Sequence, residues 1–222
     1  MRLALGLALA IAFALAGVAG PAAAKPSPPV APAPSVDNVY WMVDCLIEAK
    51  DNDLPKVLST VPGAKGSATP WVLAAIGECL VAEHPIPAAG FYPRGAVAER
   101  FLYRDFPAAG ASPSRRPAAV FAPVSAKYLA GAEPYSVTSL VMLDAASCLV
   151  RAQPERTYGF FRLERDSAEE RAEMLAMAPA LSQCLTEGPP FKLTPAIFRA
   201  FLAEAAYRVA AGQPRVFEDP SS

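Results

Sequence analysis

Val39, Met42, Val43 and Leu46 recur at intervals of three and four residues, which puts them on one face of a helix. That helix is expected to begin after Ser35, with Asp37 in its first turn, and to break at Asp51-Asn52-Asp53. A short helix through Val57 and Leu58 then stops before Pro62-Gly63. Thr69 ahead of Pro70 supplies an N-cap and a first helical residue for a helix from Trp71 toward Val81, ended by His84-Pro85. A fourth, short helix follows Pro93.

A similar order returns downstream. Ser136 or Thr138 is expected to cap a helix carrying Leu140, Val141, Leu143 and Cys148, and Pro154 opens a short aromatic helix with Tyr158, Phe160 and Phe161. Ser167-Ala168-Glu169-Glu170 reads as a capping box for a helix reaching Cys184, which Pro179 should kink. Thr194-Pro195 starts the last helix, with Phe198, Phe201, Leu202, Ala205 and Val209 as its apolar stripe and Gly212 as its stop. No alternating run of useful length suggests a strand, so the predicted class is all-α.

The repetition extends to individual residues. Cys45-Leu46-Ile47-Glu48-Ala49 corresponds to Cys148-Leu149-Val150-Arg151-Ala152, and Cys79-Leu80 to Cys184-Leu185. The cysteines of the two pairs stand 34 and 36 positions apart. Arg94 and Glu99 correspond to Arg199 and Glu204, and Tyr103-Arg104 to Tyr207-Arg208. The expectation is an internal duplication: two disulfide-stapled units of about four helices each.

Around these blocks the composition changes. Residues 1–24 have one charge, Arg2, then an apolar run and Ala22-Ala23-Ala24, the pattern of a cleaved export signal. The apolar run is at the short edge of a membrane span, so the rival reading is an uncleaved anchor. Residues 25–35 form a Pro-rich tether, 36–104 the first unit and 135–212 the second, with a tail at 213–222. The connector, 105–134, is an ordered arm or a flexible linker, and composition does not separate these.

An even cysteine count in an exported chain favours disulfides over a metal site. Four cysteines allow three pairings, all compatible with a twofold repeat. Locality favours Cys45 with Cys79 and Cys148 with Cys184, because each small unit then has its own staple.

The net charge of −1, falling to −2 without Arg2, provides no basic field for nucleic acid or anionic lipid. His84 is the sole histidine, and its place before a proline at a helix end suits capping of carbonyls. Gly63-Ala64-Lys65-Gly66-Ser67 has the wrong order for a phosphate loop, and Asp51-Asn52-Asp53 lacks the glycine and distal glutamate of a calcium loop. Ser125-Ala126-Lys127 lacks a rigid scaffold, and no nucleophile elbow is present. Glu164, Asp166, Glu169, Glu170 and Glu173, interleaved with Arg162, Arg165 and Arg171, read as a solvated face. Tyr40, Trp41, Trp71, Phe91, Tyr92, Phe160 and Phe161 read mostly as core, a few of them lining a groove between the units.

Arg94, Glu99, Arg199 and Glu204 are the polar positions of greatest interest. Five residues apart on a helix, the members of each pair share no face, so each is expected to bond to another helix. Serial helices are generically similar to helical-repeat modules such as tetratricopeptide arrays, but the signature positions of those arrays are absent and nothing carries over. The leading expectation is a periplasmic or secreted module that binds another envelope or secreted protein, or an envelope component, without catalysis, cofactor or metal. The alternative is a small-molecule or lipid-binding protein with a pocket between the units. An enzyme using His84 with a carboxylate comes third.

Overall fold

The computed structural model describes residues 35–50, 54–62, 79, 91–114, 117–185 and 192–217. Its helices are α1 (Val36–Lys50), α2 (Phe91–Asp105), α3 (Ala126–Gly131), α4 (Pro134–Ala152), α5 (Pro154–Phe160), α6 (Ala168–Cys184) and α7 (Pro195–Ala210), with a 3₁₀ turn at Leu54–Val57. The described residues contain no strand; their one extended pairing is an isolated parallel bridge between Val124 and Phe217. The fold is all-α. No helix among the described residues is long and apolar enough to cross a membrane.

The centre of the molecule is α7. Every residue from Phe198 to Arg208 is buried, so this helix is enclosed all round and not on one stripe alone. Phe198, Phe201, Leu202 and Ala205 supply the apolar bulk, while Ala200, Ala203 and Ala206 are small enough to admit neighbours closely. Its most extensive partner is α2, followed by α4; α1 lies against α2, and α6 against α4. At the α2–α7 crossing, a Cβ added to Gly95 would fall 2.4 Å from Ala200 Cα, so only glycine permits this approach. One continuous apolar core joins α1, α2, α4, α5, α6 and α7.

Local chemistry explains most boundaries. Ser167 Oγ accepts from the Glu170 amide, and Thr194 Oγ1 from the Ile197 amide, so both N-caps form as expected. Gly212 takes φ +70° just beyond α7, the left-handed geometry that ends a helix.

Other boundaries correct the sequence reading. The helix expected to follow Pro93 starts at Phe91 and runs to Asp105, because a proline in the first turn interrupts no hydrogen bond. Neither Ser136 nor Thr138 caps α4. Pro134 is already its first residue, Glu133 is its N-cap, and Thr138 Oγ1 donates back to the Pro134 carbonyl. The expected acidic–basic solvated face is broken at Glu170, which is buried. Trp41, expected in the core, is 43% exposed, whereas Tyr40, Phe160 and Phe161 are buried. The leader at 1–24, the breaker at 51–53, Gly63 to Ser67, the Trp71 helix apart from Cys79, and His84 lie outside the described residues.

The described residues of the connector pack as an arm against the helices. After α2, Ser114 Oγ donates to the carbonyls of Arg104 and Asp105. Further on, the Ala118 amide donates to Tyr207 Oη, the Phe121 amide to the Leu58 carbonyl, and the Val124 amide to the Val216 carbonyl. Phe121 and Val124 are buried as part of the core. Ser125, beside the Lys127 considered above, N-caps α3 by accepting from the Tyr128 amide.

Candidate functional site

The polar seam between α2 and α7 is built from Arg94 and Glu99 on one helix and Arg199 and Glu204 on the other. These four side chains interlock reciprocally. Arg94 Nε donates to Glu204 Oε2 at 3.0 Å, and its Nη2 donates to Glu204 Oε1. Arg199 Nε and Nη2 donate to Glu99 Oε2 and Oε1 at 2.9 and 2.8 Å. Both contacts are bidentate, the geometry in which a planar guanidinium grips a carboxylate most firmly. All four residues are buried.

Arg199 has all five of its N–H groups engaged. Besides Glu99, Nη1 donates to Glu170 Oε1 at 2.8 Å and to the Leu163 carbonyl, and Nη2 donates to the Phe161 carbonyl. Burial works against its charge. The hydrogen bonds and charge of Glu99, then Tyr40 and Glu170, outweigh that and raise the Arg199 pKa above its ordinary value. Tyr40 Oη donates to Glu99 Oε2 at 2.5 Å, tying α1 into the same network. Burial, reinforced by the negative charge of Glu99, holds the Tyr40 pKa well above its usual place. Arg94 instead directs Nη1 to the Val57 carbonyl and to Thr60 Oγ1, fastening the 3₁₀ turn.

A second polar cluster lies one to two turns on. Arg104 Nε and Nη2 grip Asp105, and Tyr207 Oη donates to Asp105 Oδ2 at 2.9 Å. Burial, then the bond to Asp105, raises the Tyr207 pKa. Arg208 is 1% exposed, with its guanidinium carbon 4.0 Å from the centre of the Phe121 ring. Its Nη1 donates to the Phe121 carbonyl, but Nε and Nη2 have no partner among the described residues. Burial lowers its pKa to about 10; Glu204 opposes that shift and Arg94 adds to it.

The predicted cysteines join as Cys45–Cys79 and Cys148–Cys184, with Cα–Cα distances of 6.0 and 5.7 Å. Sequence reasoning singled out the two Arg/Glu pairs but missed Tyr40, Glu170 and Arg208. The Tyr-Arg match of the two blocks was a usable signal for Arg208. Glu170 was obscured by its second role near the α6 start, where Oε2 accepts from the Asp166 amide. Among the described residues, no group of three or more His, Cys, Asp or Glu is placed to hold a metal. The seam is a closed set of mutually neutralising groups, arranged to join helices. Comparison with family models, with curated proteins and with solved structures found no match.

Proposed function

We propose that this chain is an exported, disulfide-stapled helical module, periplasmic or secreted, that works by holding another protein and not by catalysis. The observation that carries this reading is where the polar chemistry lies. Arg94, Glu99, Arg199 and Glu204 are enclosed and engaged with one another, so they serve the scaffold. The large apolar side chains exposed on the described surface are Trp41 on α1, Tyr103 on α2 and Tyr135 on α4, together with Leu175 and Leu185. Exposed aromatics on a stiff support are the residue type that anchors protein interfaces. Both disulfides fit an oxidising compartment, in agreement with the leader-like start of the sequence.

We read the two blocks as copies of one ancestral helical unit. The reciprocal exchange, Arg94 to Glu204 and Arg199 to Glu99, supports this, because corresponding residues on the two helices make corresponding bonds. Such an exchange is what an approximate twofold relation between copies produces.

Crosslinking and affinity capture from the native envelope test the binding reading, with wild type compared against Trp41→Ala and Tyr103→Ala. The expected result is a captured protein lost in at least one variant whose melting temperature is unchanged. Equal capture by all three would remove Trp41 and Tyr103 as the basis of binding.

A further inference from the structure

Three arginines on α2 and α7 orient their guanidiniums alike, and a fourth does not. Arg94, Arg104 and Arg199 each turn the edge formed by Nε and Nη2 toward a carboxylate, respectively Glu204, Asp105 and Glu99. Arg208 matches Arg104 in the sequence repeat and stacks on a phenylalanine in the same manner, Phe121 in place of Phe101. Its Nε and Nη2 meet no acceptor among the described residues, although the residue is more deeply buried than Arg94. Leaving two charged donors desolvated without acceptors is costly, so an acceptor at this edge would be strongly favoured.

The two carboxylates that act most strongly on Arg208 are already engaged elsewhere. The charged groups closest in effect to Arg208 are Glu204, Arg94, Arg151 and Asp144. Glu204 has both oxygens on Arg94, and Asp144 accepts from Arg215 Nη2 and the Val216 amide. Arg94, Arg151 and Arg208 therefore outnumber the two acids, and the surplus positive charge suits an anion.

We propose that the Nε–Nη2 edge of Arg208 is a binding site for a small carboxylate, gripped bidentately as Asp105 is by Arg104. The inference is independent of the partner-binding reading. The site is closed by the arm that carries Phe121, so its ligand is compact, and formate and acetate are the minimal probes. Opening requires the Phe121 amide to release the Leu58 carbonyl while Val124 stays attached to Val216.

Arginine side-chain ¹⁵N spectra of the full exported protein, assigned through bonds, follow the Arg208 Nε–H directly during titration with sodium formate or sodium chloride at equal ionic strength. The expected result is a saturable shift of the Arg208 signal with formate and none with chloride, the Arg94 and Arg199 signals staying fixed. At ten times its dissociation constant, formate should displace the unfolding equilibrium about elevenfold in wild type and leave Arg208→Met unaffected. Arg208→Lys, which keeps the charge but not the fork, should also lose the preference for formate over chloride. An unmoved Arg208 signal, or equal shifts with both salts, overturns the site. The wild-type titration decides this even if neither variant folds.

Discussion

Arg94 and Arg199 occupy corresponding places on α2 and α7, and each grips a glutamate of the other helix, yet they end in different surroundings. Arg199 adds a second carboxylate, Glu170, and two carbonyls, so every donor is matched. Arg94 has one carboxylate and adds to it the Val57 carbonyl and Thr60 Oγ1. One half of the seam is a charge network reaching α1 and α6, and the other is a single ion pair pinned to a turn. The two sides of the seam thus differ in resilience: Arg199 keeps a counter-charge after losing one carboxylate, whereas Arg94 does not.

The largest effect tests whether the halves are equally dependent on their staples. Loops of 34 and 36 positions are closed by Cys45–Cys79 and Cys148–Cys184, and each contributes about 4 kcal/mol on the chain-entropy model. Chemical denaturation of Cys79→Ser (with Cys45→Ser) and of Cys184→Ser (with Cys148→Ser) should give losses equal within error. Unequal losses would show that one half is held mainly by its contacts with the other.

Breaking the two ion pairs separates network from lone pair. Glu204→Ala leaves Arg94 buried without a carboxylate and should cost about 3–5 kcal/mol. Glu99→Ala leaves Arg199 with Glu170, though it strips the buried Tyr40 hydroxyl of its acceptor, and should cost less, about 1–3 kcal/mol. The comparison is refuted if Glu99→Ala proves the more damaging in matched urea melts.

A smaller loss is expected at the crossing itself. Gly95→Ala places a methyl against Ala200 Cα and its carbonyl oxygen, forcing the helices apart at about 1–3 kcal/mol. Because backbone atoms are among those met, Ala200→Gly should not rescue it. Full rescue in the double variant would mean that only the two side chains compete for space.

The smallest effect is alkaline. Tyr40 has a raised pKa in the folded protein, so its contribution is fully present below its unfolded value of about 10 and is lost as pH rises through the folded value. Tyr103, Tyr158 (pushed up to about 12 by burial) and Tyr207 act with the same sign. Arg208, lowered to about 10, opposes them, since its buried charge is relieved as it deprotonates. Stability should therefore fall above pH 10, less steeply in Tyr40→Phe than in wild type. Melting curves at intervals from pH 8 to 11.5 check both slopes.

Helix type, the α6, α7 and Gly212 signals and the cysteine pairing were legible because each depends on a few adjacent residues or on locality. The start of α4 was misread because Ser136 and Thr138 are good caps in isolation, and Pro134 two positions earlier outranks them. Glu170 was misread for a different reason. Its neighbours are exposed charges, and only the arrival of Arg199 from 29 positions away makes its burial tolerable. The empty edge of Arg208 depends on which carboxylates are already taken, information that no local pattern holds. The same applies to the arm, whose prolines leave it free to be ordered or not until Leu58, Val216 and Tyr207 supply acceptors.

The seam also sets an order of events. Arg94 meets Glu204 across 110 positions, Glu99 meets Arg199 across 100, and Tyr207 meets Asp105 across 102. Until α7 has emerged, α2 carries two buried-type charges and an apolar face with nothing to receive them. A chain threaded through a membrane N-terminus first would therefore hold its first half unfinished for nearly the whole passage, and closure would come late and slowly, as for other topologies dominated by distant contacts. During that interval the Cys45–Cys79 bond can form without α7, so oxidation can precede docking and shorten the search that the last helix completes.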